Sequence, residues 1–109
     1  MANTFKLKTK ANVGVTTVGI YTAPASTTTV VIGITLANTS GSGVNVGVGI
    51  TRAGTTEDVK LLKNDPIPQG SSLEFMGGNK VVLETTDTLT VDSDTNNSVD
   101  AALTIMEIT

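Results

Sequence analysis

The chain has 109 residues, a net charge of -3 and neither His nor Cys. That length supports one hydrophobic core rather than two. The missing imidazole and thiol remove Ser-His-Asp and Cys-His catalysis, histidine or thiolate metal sites and disulfides together.

Thr, Val, Gly, Ser and Asn dominate, the residues of twisted strands and tight turns, so the elements are expected to be strands. Residues 1–12 read as an N-terminal arm or short strand, in which Phe5 and Leu7 alternate with Lys6, Lys8 and Lys10. Alternation of this kind marks a half-exposed strand, and its lysines offer a local basic face to an acidic partner. Residues 13–109 read as a single β-sandwich domain. Val13, Val15, Val18 and Ile20 mark a strand that stops before Pro24. Val30, Ile32, Ile34 and Leu36, then Val44, Val46, Val48 and Ile50, form two period-two rows on either side of Gly41-Ser42-Gly43 and read as a hairpin. That register puts Val31 on the face away from the core.

Val59, Leu61 and Leu62 predict a short edge strand, and Pro66 to Gly70 a loop that steps from one sheet to the other. Leu73 and Phe75 follow as a strand, with Gly77-Gly78-Asn79 expected to reverse the chain into Val81 and Leu83, leaving Val82 on the opposite face. Leu89 and Val91 begin another strand, and Asn96-Asn97 reads as a hairpin turn because asparagine tolerates positive φ. The last strand carries Val99, Ala101, Leu103 and Ile105, with an apparent shift of phase at Met106 and Ile108 that predicts a bulge or an exposed end. The sum is an all-β, two-sheet antiparallel β-sandwich, jelly-roll-like, with about eight strands and almost no helix.

Chemistry is scarce along this chain. Asp92, Asp94, Asn96 and Asp100 imitate the oxygen spacing of a calcium loop, but Asn97 stands where the glycine turn is required and Leu103 where a bidentate Glu belongs. The stretch therefore reads as a polar turn, and no metal or other cofactor is expected. The glycines of "GVNVGVGITRAG" alternate with valine inside a strand and precede no helix, unlike a phosphate-cradling loop. Glu74, Glu84, Asp87 and Glu107 read as solvated charges that keep strand faces soluble rather than as an acid-base pair. Seven basic residues against ten acidic, with Arg52 the one arginine, are a poor basis for holding phosphates, so nucleic acid is not an expected partner. No apolar run approaches a membrane span and none follows the N-terminal lysines, so a soluble protein without a secretion signal or membrane partner is expected. Only Phe5, Tyr21 and Phe75 are aromatic, which disfavours a stacking site for sugars. An inert β-rich module that presents surface or joins other proteins is what remains. Val31, Met76, Val82, Met106 and Ile108, apolar and off the core rows, are the expected contact residues, together with Lys6, Lys8 and Lys10.

The order of the pieces adds a resemblance. The Tyr21-Thr22-Ala23-Pro24 turn, the strand ending in "LANTS", the "PIPQGSS" loop, Gly77-Gly78 before "KVVLE", the "DTLTV" strand and a last strand from Val99-Asp100 to Glu107-Ile108 together resemble small virion structural proteins of tailed bacteriophages, notably those of marine and cyanobacterial hosts. The likeness spans nearly the whole chain. It implies a non-enzymatic virion component made in the host cytoplasm, foremost a capsid decoration or cement protein bound to the major capsid protein lattice. It also implies a homo-oligomer, with a trimer favoured. A tail, neck or fibre-associated subunit contacting other virion proteins is the alternative, and a receptor- or glycan-binding module stands further off.

Overall fold

In the computed structural model, which describes residues 3–52, 57–75 and 80–109, nine strands and no helix are found among the described residues. They are β1 (Asn3–Val13), β2 (Val18–Thr22), β3 (Thr28–Asn38), β4 (Val44–Thr51), β5 (Asp58–Ile67), β6 (Ser72–Phe75), β7 (Val81–Leu83), β8 (Thr88–Ser93) and β9 (Val99–Ile108). One sheet runs β1-β9-β3-β6, with β7 also on β3, and the other runs β2-β8-β4-β5. Every pairing is antiparallel.

This is the jelly-roll order, and it follows from one long folded-over hairpin. Strand β4 pairs with β5, β3 with β6 and β7, β2 with β8, and β1 with β9. Wrapping that nested hairpin adds the pairs β3 with β9 and β4 with β8, which close two facing sheets. The inner rows then meet in one core: Val44, Val46, Val48 and Ile50 of β4 and Leu89 and Val91 of β8 face Val99, Ala101, Leu103 and Ile105 of β9 and Ile34 and Leu36 of β3, all of them buried. Burying this apolar surface is the main favourable term in folding.

Several expected connections are rearranged. The two arms around Gly41-Ser42-Gly43 are not a hairpin, because β3 and β4 lie in different sheets. Residues 39–43 form a corner, held by Asn38: its Nδ2 donates to the carbonyls of Ser42 (2.8 Å) and Ile67 (2.9 Å), while Oδ1 accepts from the backbone N–H and hydroxyl of Ser40. The Asn96-Asn97 turn likewise carries the chain between sheets, from β8 to β9, although Asn97 does hold a positive φ of 52°. A hairpin and a corner share one apolar alternation, since each delivers two rows facing a common core.

The register of β3 contains a bulge between Val31 and Gly33. Its inward row is therefore Thr29, Val31, Ile34, Leu36 and Asn38, and Val30 and Ile32 turn outward instead of joining the core row. Strands β6 and β7 both run antiparallel to the same strand β3, so the chain does not reverse between them. Gly77-Gly78-Asn79 and Met76 lie outside the described residues. The N-terminal strand extends over 11 residues to Val13, and Val15 is exposed in the connection to β2 rather than sharing a strand with Val18 and Ile20. Strand β5 is a 10-residue edge strand that includes Pro66, tolerated because an edge position leaves a missing N–H without consequence. The step to the other sheet is accordingly made by residues 68–71 rather than from Pro66 onward.

Candidate docking surface

The two sheets present different outer faces. Across β1, β9, β3 and β7 the register aligns Phe5, Met106, Val30 and Val82 in one row. All four point away from the core, with Phe5 68% and Val82 54% exposed. Beside this row stand Leu7, itself 66% exposed, and the half-buried Ile32 and Ile108. Of the outward positions on β1, β9, β3, β6 and β7, only Asp100 and Glu74 are charged, both at one end of the sheet. Next to Asp100 an open depression of about 310 Å³ is lined by small side chains including Thr9, Ala11, Thr35, Ala37 and Ala102.

The outer face of the second sheet is polar. Thr22, Thr88, Thr51 and Asp58 align across it, as do Gly19, Thr90, Gly49 and Lys60. The glycines here are required sterically: a Cβ at Gly49 would lie 2.8 Å from the Val59 carbonyl oxygen, and one at Gly47 would lie 2.6 Å from Asp92 Oδ1. Edge strand β5 thereby folds closely over β4, with Lys60 Nζ reaching 3.8 Å from Asp92.

Val31 is fully buried, because the bulge turns it inward, and it is removed from the contact surface. Val82, Met106 and Ile108 do lie on the outer face of the first sheet. No phase shift occurs at the C-terminal end of β9: its alternation continues unbroken, with Glu107 occupying the inward position after Ile105. Lys6, Lys8 and Lys10 pair with Ile105, Leu103 and Ala101, so they line the core-side face of edge strand β1, where inward-pointing charge blunts edge-to-edge pairing. The four oxygen-bearing residues of the turn are divided among different neighbours. Asp92 accepts from Thr17 (3.0 Å), Asp94 from the Asn45 N–H (3.1 Å), Asn96 from the Val15 N–H (3.5 Å) and Asp100 from the Asn12 N–H (3.0 Å). Among the described residues no three acidic side chains gather as a metal site would need.

Two of the acids expected to be solvated are buried. Glu107 accepts a 2.6 Å hydrogen bond from the Tyr21 hydroxyl and a 2.9 Å ion pair from Lys6, and Tyr21 also shares a 2.8 Å hydrogen bond with Thr29. The Tyr21 hydrogen bond, followed by that of Lys6, lowers the Glu107 pKa below the usual glutamate value. Burial, reinforced by the same carboxylate, pushes Tyr21 up to about 12. Asp87 is the second buried acid. It accepts from Arg52 Nε (3.1 Å) and from the Glu84 N–H (3.0 Å), while the neighbouring Nη2 of the same guanidinium donates to the Glu84 carboxylate. Both clusters pin strand ends together. The signal for Glu107 was present in its spacing, two residues after Ile105 on an inward row, but a charge in that row reads as a break in the pattern.

No protein-family model matches the chain, and no curated protein is significantly similar to it in sequence. Solved structures share its fold. A Bacillus endospore appendage described as a disulfide-linked pilus aligns with 99% of this chain and 87% of its own at 16% identity, TM-score 0.57. The acid-stable capsid of Helicobacter pylori bacteriophage KHP30 aligns with 98% of this chain and 87% of its own at 11% identity, TM-score 0.58. The infectious bursal disease virus subviral particle aligns with 96% of this chain but only 32% of its own at 11% identity, TM-score 0.58. At these identities the likeness is one of fold: this chain is an antiparallel jelly-roll sandwich of the kind found in viral shells and a bacterial pilus.

Proposed function

We propose that the chain is a non-enzymatic structural protein of a bacteriophage virion, a decoration or cement subunit attached to the major capsid protein lattice. The observation that carries this reading is the outer face of the first sheet, a nearly uncharged apolar surface on a jelly roll whose acidic clusters serve to tie strand ends together. The near-complete mutual coverage with a bacteriophage capsid fold supports it, as does the resemblance of the chain's ordered turns to tailed-phage virion proteins. Lys8 and Lys10 lie at the open edge of the same sheet, on the side of strand β1 that faces away from that surface. Quantitative mass spectrometry of purified particles tests the proposal. Many copies per capsid support decoration, a few per particle move the chain to the neck, tail or fibre, and absence from particles refutes a virion role. The resemblance implies a trimer, which a threefold mass in solution would show and a monomer-dimer equilibrium would replace.

A second reading, a subunit of a surface fibre, draws on the fold shared with the Bacillus pilus. The disulfide linkage described for that pilus has no counterpart here, since this chain has no Cys. Electron microscopy of the concentrated protein distinguishes it, because a fibre subunit forms filaments unaided.

A further inference from the structure

We infer that the outer face of the first sheet is a self-association surface, on which a second copy of this chain packs sheet to sheet about a two-fold axis parallel to the strands. The inference rests on that face alone and concerns the free protein; on a particle the capsid lattice would take the second copy's place.

Three features choose a second copy as the occupant. The first is shape. The row Phe5, Met106, Val30, Val82 is large at one end and small at the other. A two-fold axis along the strands reverses the row against itself, so Phe5 meets Val82 of the second copy and Met106 meets its Val30. Large side chains thus fill the space over small ones, as close packing requires. The second feature is charge. Every copy carries -3, so a contact between two copies is favoured only where it sets no like charges directly against each other. In the same arrangement Glu74 falls opposite Thr9 and Asp100 opposite Ala37, because the rows Thr9, Ala102, Thr35, Glu74 and Asp100, Ala37, Ser72 reverse in the same way. No two carboxylates face each other. The outer face of the second sheet lacks this property for apolar contact, since Thr, Asp and Lys fill its rows. The third feature is size. Four strands about 4.8 Å apart, over about eight residues at about 3.4 Å, give a face of roughly 500 Å² per copy, or about 1,000 Å² for the pair. That is the low end for a specific interface, so the association is reversible and dilutes apart.

Light scattering from dilute to millimolar protein tests this. A monomer-dimer equilibrium is expected, weakened at least tenfold by Met106→Lys, which places a charge in the middle of the apolar row; Thr90→Lys on the opposite outer face leaves it unchanged. Circular dichroism and thermal melting verify that both variants keep the fold. The absence of Cys permits a second, independent readout: Val30→Cys is joined into dimers by a short bismaleimide, and Thr90→Cys is not. A wild type that stays monomeric throughout, a closed trimer, or equal cross-linking from both cysteine positions would overturn the inference.

Discussion

The two sheets share one core but differ on their backs, and the contrast separates what folding needs from what is left for contact. The second sheet turns Thr, Gly, Asp and Lys to solvent and lets edge strand β5 press its carbonyls onto Gly47 and Gly49. Its back is finished by the chain itself. The first sheet turns Phe5, Met106, Val30 and Val82 outward, and nothing among the described residues covers Phe5 or Val82. Folding gains little from apolar residues left in water, so such a row is better explained by a partner than by stability.

The sharpest way to break this contrast lies in the bulge that created it. Ile34→Asp buries an unpaired charge at a position 2% exposed, and should cost about 4–5 kcal/mol or more and abolish soluble folding. Ile32→Asp, two residues earlier and on the same row by simple alternation, should fold with a loss of about 1 kcal/mol, because the bulge has turned it outward. Equal damage from the two in chemical denaturation would place Ile32 in the core and remove the outer apolar row.

Glycine substitutions compare the two backs directly. Gly49→Ala places a Cβ 2.8 Å from a backbone oxygen, and a loss of about 1–3 kcal/mol is expected as β5 is pushed away. Gly33→Ala, on the first sheet, meets its nearest atom at 3.7 Å and should change stability by less than about 0.5 kcal/mol. Thermal melts of the pair decide whether only the second sheet is closely covered by its own chain.

Tyr21→Phe removes the hydroxyl between Glu107 and Thr29 and should cost about 1–2 kcal/mol at neutral pH. Its pH dependence follows from the two shifts. The folded-state pKa of Glu107 is depressed, so the stability it contributes is complete above the ordinary value of 4.5 and is lost as pH falls through the lower folded value. The variant lacks the largest cause of that depression, and the gap between variant and wild type should narrow in acid. The folded-state pKa of Tyr21 is raised, so its contribution is complete below 10 and fades as pH rises toward about 12, a loss that the variant does not show. Unfolding curves measured from acid to alkaline pH test both limbs. The smallest effect is expected for Asp94→Asn, which keeps an acceptor for the Asn45 N–H and should stay within about 0.5 kcal/mol of wild type, with or without calcium. A large calcium-dependent difference would restore the turn as a cation site.

The strands themselves were legible in the sequence. Val44, Val46, Val48 and Ile50, and Val99, Ala101, Leu103 and Ile105, alternate without exception, and a pleated strand offers such a pattern only one inward face. The candidate surface was legible in part. Val82, Met106 and Ile108 stood out as apolar residues off the core rows, whereas Phe5 and Leu7 looked like the core side of a half-exposed strand with its lysines outward. Pairing with β9 reversed those faces.

Sequence alone determined the class of structure: alternation, turn residues and the absence of His and Cys fix an antiparallel all-β module with no imidazole or thiol chemistry. Only the tertiary structure decided which strands share a sheet, that Gly41-Ser42-Gly43 and Asn96-Asn97 are corners rather than hairpins, that Val31 belongs inside and Val30 outside, and that Glu107 completes an inward row. Alternation specifies that two faces differ, but it names neither the sheet a strand joins nor the residue at which a bulge exchanges the faces. Those choices are made by long-range backbone pairing and by the few buried polar partners, such as Asn38 and Tyr21, that become satisfied only when the sheets come together.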